Sequence, residues 1–175
     1  MSIVHVTSAD GSTDWITSRS IDYSTESTKL GRSLRNAIDQ AAQDHVSAAF
    51  FALFANHERH GRFKRVQPKS FRLIQVEASI VPTPALIDVL ARSHSARPAG
   101  LQHLIRLGAL QPRLQMEIGS IVASAVEGRE RVRAAMLRSS LRSPGDHQRN
   151  RVCEMTTISA DVELPAGTWL LFAPK

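Results

Sequence analysis

The hydrophobic period of this chain changes repeatedly along its length, and that switching restricts the fold more than any single motif does. Ile3, His5 and Thr7 oppose Val4 and Val6, the alternation of a strand. Asp10-Gly11-Ser12-Thr13-Asp14 follows with turn chemistry, because glycine takes positive φ freely and Asp and Ser bond their own backbone. An N-terminal hairpin returning through Trp15 to Tyr23 is expected. From Ser27 or Thr28 the steps become three and four, through Leu30, Leu34, Ile38, Ala41, Ala48, Ala49 and Ala52. That spacing predicts a long helix over about residues 28 to 59, opened by a Ser/Thr cluster and stopped by Gly61.

Phe71, Leu73, Ile74, Val76, Ala78 and Ile80 then read as a strand ending at Pro82. Thr83-Pro84 is a helix start, with threonine as N-cap and proline at the first helical position, so Ala85 to Arg92 is a short helix with Leu86 and Leu90 inward. Ser93 to Gly100 is a loop, and Leu101, Leu104 and Ile105 open another short helix that Pro112 ends or kinks. Leu114, Ile118, Ile121, Val122, Ala125, Val132 and Met136 trace a second long amphipathic stripe to about Leu141, with Gly119 and Gly128 inside it. After the loop Ser143-Pro144-Gly145-Asp146, alternation returns from Val152 to Leu164, Pro165-Ala166-Gly167 turns the chain, and Trp169 and Leu171 close a C-terminal hairpin.

These elements predict an α+β fold: a mainly antiparallel sheet of N- and C-terminal hairpins plus a central strand, packed on one face by two long helices and two short ones. With 175 residues, of which 42% are hydrophobic and 22% charged, the chain can bury a core, and a single domain over 1–175 is expected. The greasiest run, Ser47 to Ala55, is about half the length of a membrane span, and the N-terminus lacks the pattern of an export signal, so no membrane span and a cytoplasmic location are expected. Cys153 stands alone, which excludes an internal disulfide and a thiolate-rich metal site; a buried, inert cysteine in a strand is the expectation.

Charge carries the functional reading. The net charge is +6, and the basic side chains are nearly all arginine, whose planar fork suits phosphate and carboxylate, although a high-GC bacterial genome also produces that bias. Arg59, Arg62, Lys64, Arg65, Lys69 and Arg72 include no acid between them; a second group comprises Arg129, Arg131, Arg133, Arg138, Arg142, Arg149 and Arg151. On the helical reading, Arg131, Arg138 and Arg142 fall near one face. Arg62, Lys64, Arg65, Arg131, Arg138 and Arg142 are therefore the candidate polyanion-binding residues of a non-enzymatic bacterial binding or regulatory protein, its partner a nucleic acid or an acidic protein.

Other chemistry is sparse. Asp44, His45, His57, Glu58 and His60 do not reach the three or four convergent ligands a metal needs, and no nucleophile elbow, phosphate loop, nucleic-acid-binding signature or cofactor motif is present. Two alternatives stay open. One is a small-molecule-sensing or enzymatic domain with a pocket holding His45, Arg72 and Glu77; the other is an effector or adaptor acting by protein contact. Phe50, Phe51 and Phe54 on the first long helix suit that contact or a homo-oligomer. Val162-Glu163-Leu164-Pro165-Ala166-Gly167-Thr168-Trp169-Leu170 resembles the hairpin that closes extracytoplasmic sensor domains of some bacterial histidine kinases. The resemblance implies a closing hairpin; the flanking membrane helices that the family implies are not read in this chain, and the sensing function is not carried over.

Overall fold

The computed structural model describes residues 2–7, 13–24, 34–40, 43–59, 70–125, 133–141, 151–159 and 161–175. Its framework is one nine-stranded mixed sheet with helices on both faces. Strands β1 (Ser2–Thr7) and β2 (Thr13–Ser24) form the expected N-terminal hairpin, antiparallel from Ser2↔Ser18 to Thr7↔Thr13. β2 continues antiparallel onto β4 (Ser70–Val76), which is the expected central strand, shorter than the alternation implied.

The first long helix is two helices, α1 (Leu34–Gln40) and α2 (Ala48–Arg59), separated by the two-residue strand β3 (His45–Val46). Tertiary contacts break the helical period here. The Asp44 carboxylate accepts the Cys153 N–H at 2.6 Å, the Gln43 amide donates to Pro112 O at 2.9 Å, and Ser47 restarts the helix by accepting the Phe50 N–H at 3.2 Å.

α3 (Pro84–Ser93) forms as expected, with the Thr83 hydroxyl accepting the Leu86 N–H at 3.3 Å and Leu86 and Leu90 buried. The loop after it contains a short strand, β5 (Ala96–Pro98), and α4 (Leu101–Leu110) ends before Pro112. The second long helix is replaced by one short helix and two strands: α5 (Leu114–Ile118), β6 (Ile121–Ala125) and β7 (Arg133–Leu141). Gly119 has φ +97, a left-handed conformation that stops α5. Beyond it Ile121, Ala123, Ala135 and Leu137 pack on one face of the sheet, and Val122, Ala134 and Met136 on the other. Strands apolar on both faces show no alternation, so their leucines and alanines mimicked a helical stripe.

The C-terminal hairpin is also replaced. β8 (Arg151–Ser159) pairs with β7 and with β3, whereas β9 (Trp169–Pro174) crosses to the middle of the sheet. The strand order is β1-β2-β4-β9-β6-β7-β8-β3, with β5 also on β9. β3 runs parallel to β8 and β6 parallel to β9, so the sheet is mixed rather than mainly antiparallel. Leu164, read as part of a terminal hairpin, instead makes an antiparallel bridge to Ile80.

Five helices are present among the described residues, and they are not all on one face. Residues of α1, α2, α4 and α5 pack with Phe71, Leu73, Trp169 and Leu171; α3 packs on the opposite face with Ile74, Val76, Leu170 and Phe172. Phe50 and Phe54 are buried in the four-helix layer, and only Phe51 faces outward. Cys153 is buried in β8 as expected, and burial together with the nearby Asp44 carboxylate pushes its thiol pKa up.

The α3 cap offers a direct test of the local logic. Thr83→Ala is expected to lower the unfolding free energy by about 1 kcal/mol in a urea titration, and Thr83→Ser to retain most of it.

Candidate functional site

The sheet register decides which basic segments can act together. β4 begins at Ser70 and β7 at Arg133; β9 runs antiparallel to β4, β6 parallel to β9, and β7 antiparallel to β6, so β4 and β7 start at the same end of the sheet. We call it the basic end. Arg62, Lys64, Arg65, Arg131 and Arg142 lie outside the described residues, so their bounds come from the chain. Arg65 precedes Ser70 by few enough residues that their Cα atoms are at most about 18 Å apart, and Arg131 stays within about 7 Å of Arg133.

Described cations stand at this same end. Arg92 occupies the last turn of α3, Arg97 is exposed on β5 opposite Ala173, and exposed Lys175 follows β9, its N–H donating to Ser95 O at 3.3 Å. Arg72 is the anchored member. Its guanidinium donates to both carboxylate oxygens of the cross-strand partner Asp22, at 2.6 and 2.5 Å, and to the carbonyl of His94 at the C-terminus of α3. The hydrogen bond from Arg72 holds the Asp22 carboxyl below its ordinary pKa, and the same contact raises that of Arg72. A guanidinium at the last carbonyls of a helix also meets the negative end of its dipole.

The shared helical face of Arg131, Arg138 and Arg142 does not exist, because residues 133–141 are a strand. Nine strand residues span about 26 Å, and Arg131 and Arg142 leave from opposite ends of it. Arg138 is placed within β7, with its guanidinium on Glu154 of β8 at 2.6 Å, an exposed pair in which the acid already occupies the arginine. The sheet thus joins the start of the second basic group to the first and carries the rest of it away.

No protein-family model, curated protein or solved structure matches this chain.

The side chains considered for a pocket, His45, Arg72 and Glu77, do not converge. His45 on β3 is five strand intervals from Arg72 on β4, about 24 Å across the sheet. Glu77 lies beyond the far end of β4, with a parity that points it to the other face. His57 is buried in α2 and His45 is exposed, and among the described residues no three His, Cys, Asp or Glu side chains group together.

Sequence reading missed one polar pair. Ser18 Oγ and His94 Nε2 are 2.8 Å apart with both residues buried, tying β2 to the end of α3. The available signal was that Ser18 shares the inward parity of Ile16. A serine beside an imidazole is the core of a nucleophilic dyad, but this serine is fully enclosed, and the imidazolium such chemistry would form is disfavoured: burial and then the charge of Arg72 lower the His94 pKa. The pair works as a polar fastening.

A second histidine is held neutral near the same end. His103 Nδ1 accepts the Gly100 N–H at 3.3 Å at the start of α4, and burial, then Arg97, lower its pKa to about 4. Both histidines are neutral in the fold and titrate near 6.5 when unfolded, so their contribution is complete above about pH 6.5 and is lost as pH falls below it, for His103 down to about pH 4. Urea midpoints are expected to fall from pH 7.5 to pH 5. His103→Gln, whose amide oxygen can serve the same N–H, should flatten that fall while changing the midpoint at pH 7.5 little.

Proposed function

We propose that this is a non-enzymatic binding protein that grips a polyanion, nucleic acid in the first instance, at the basic end of the sheet. The observation that supports the reading is the common starting end of β4 and β7, the described strands that follow the segments carrying Arg62, Lys64, Arg65 and Arg131 in the chain. Arg92, Arg97 and Lys175 add exposed positive charge there, and the acid at that end of β2, Asp22, is already neutralised by Arg72.

The physical mechanism is counterion release. Arginine and lysine side chains that replace cations condensed on a phosphate backbone gain affinity from the entropy of the released ions, independently of sequence. The bidentate fork of arginine sets the contact geometry. Arg138 and Arg142, toward the opposite end, are assigned a secondary role along a longer ligand, with Arg138 acting only where a phosphate displaces Glu154. An acidic protein surface would meet the same cations through carboxylates.

Binding of the purified chain to random-sequence DNA and RNA across a salt series tests this. Affinity should fall steeply with salt, and neutralising Arg62, Lys64, Arg65 and Arg131 together should flatten the slope of log K against log salt by about 0.9 per lost contact on duplex DNA. Neutralising Arg138 and Arg142 should change it much less. If the chain binds no nucleic acid at low salt but retains an acidic protein, carboxylate recognition replaces the phosphate reading; if it binds neither, the reading fails.

A further inference from the structure

We propose that the outward face of α2 is a contact between two copies of this chain, the two helices packed antiparallel across a two-fold axis with Phe51 at its centre. α2 turns Phe50, Leu53, Phe54 and His57 into the protein. At about 100° per residue the opposite side carries Ala48, Ala52 and Ala55, flanked by Ala49 and Phe51, and all five are exposed. Phe51 leaves 45% of its surface uncovered. The outer side of a surface helix is ordinarily charged or polar. Here every exposed side chain from Ala48 to Ala55 is apolar, and charge enters only with Glu58 and Arg59 in the last turn.

One register satisfies shape and charge together, and that match selects a second copy as the occupant. An antiparallel pair centred between Phe51 and Ala52 sets Ala48 level with Ala55 of the other copy and Phe51 level with Ala52. Alanine lets the helix axes approach to about 8 Å, and each phenylalanine ring enters the hollow beside Ala52 and Ala55 of the other copy. The same register carries Arg59 to the level of Asp44 in the other copy and Glu58 to that of His45, and the two-fold axis makes each match twice. Asp44 and His45 are exposed just ahead of α2, Glu58 and Arg59 are exposed at its end, and none of the four is in an ion pair among the described residues. A parallel pair would set each charge beside its own kind and align the two helix dipoles, both unfavourable.

The place of α2 in the fold suits such a contact. It follows β3, the last strand of the sheet order, and its inner side packs on β8. The contact draws on none of the residues assigned to polyanion binding, so the two readings stand or fall separately.

Sedimentation equilibrium of the full chain from about 1 µM to about 1 mM should show the mass rising from 19.3 kDa toward twice that value. Phe51→Glu and Arg59→Glu change exposed side chains, so each should leave the circular dichroism spectrum intact while raising the dimer dissociation constant at least about tenfold. The first buries charge in the apolar centre, and the second sets an acid against Asp44 of the other copy. On oxidation, a mixture of Ala48→Cys and Ala55→Cys chains should give a mixed disulfide dimer in preference to either variant linked to itself. A chain monomeric at every concentration overturns the proposal, as does a dimer whose dissociation constant either glutamate variant leaves unchanged, or self-linking of Ala48→Cys in preference to the mixed dimer.

Discussion

Strand β9 is the constraint on which the rest of this structure depends. Arg72 to Gln75 pair with it on one side; Ile121, Val122 and the three residues of β5 pair with it on the other. Phe172 shows the arrangement most directly, being opposite Arg72 on β4 and opposite Pro98 on β5. Five consecutive residues, Trp169 to Ala173, are buried, so this strand supplies both hydrophobic layers at once: Trp169 and Leu171 to one, Leu170 and Phe172 to the other. Backbone groups at such depth must be paired, and β9 is where the two halves of the sheet satisfy each other. The Trp169 indole adds a hydrogen bond to Ile118 O at 2.9 Å, fixing α5 to the same strand.

The polar interactions are arranged around that junction. Arg72 joins three elements, taking Asp22 from β2 and the last carbonyls of α3 while lying opposite Phe172. On the opposite face Arg19 donates to Gln75 at 2.6 Å and lies 5.4 Å from the centre of the Trp169 ring, while the Gln75 amide donates to Gly167 O at 2.7 Å. These contacts leave the hairpin of β1 and β2 anchored through polar side chains where it extends past the helical layer. Arginine therefore has two roles in this chain. Arg19 and Arg72 are bound into the fold, whereas Arg92, Arg97 and Lys175, offered for polyanion contact, are exposed.

Local chemistry was legible where it was self-contained. Thr83-Pro84 announced α3, Pro112 bounded α4, and the Asp10 to Asp14 segment with its flanking alternation gave the first hairpin. Reading failed where burial was two-sided or where a distant residue overrode local preference. Ile121 to Ala125 and Arg133 to Leu141 carry apolar residues on both faces, which erases the period of two. Asp44 and Ser47 interrupt an otherwise helical period because Cys153, more than a hundred positions away, supplies the N–H that Asp44 accepts. The destination of Trp169 was likewise hidden, since a Pro-Ala-Gly turn predicts reversal of the chain but not which strand it will meet. For the candidate site, clustering of charge was visible, while the separation of Arg131 from Arg142 became readable only once the segment between them was known to be extended.

The position of β9 has a consequence for how the protein is made. Every other described strand leaves the ribosome before it, and Gln75 must wait for Trp169, roughly ninety residues later. During that interval the β9-facing edge of β4, with Leu73 and Ile74 on its two faces, has no native partner, which exposes the nascent chain to mispairing and to capture by holdase chaperones. Closure at the centre by so late a segment also gives the chain a high contact order, so folding should be slow compared with helical proteins of equal size.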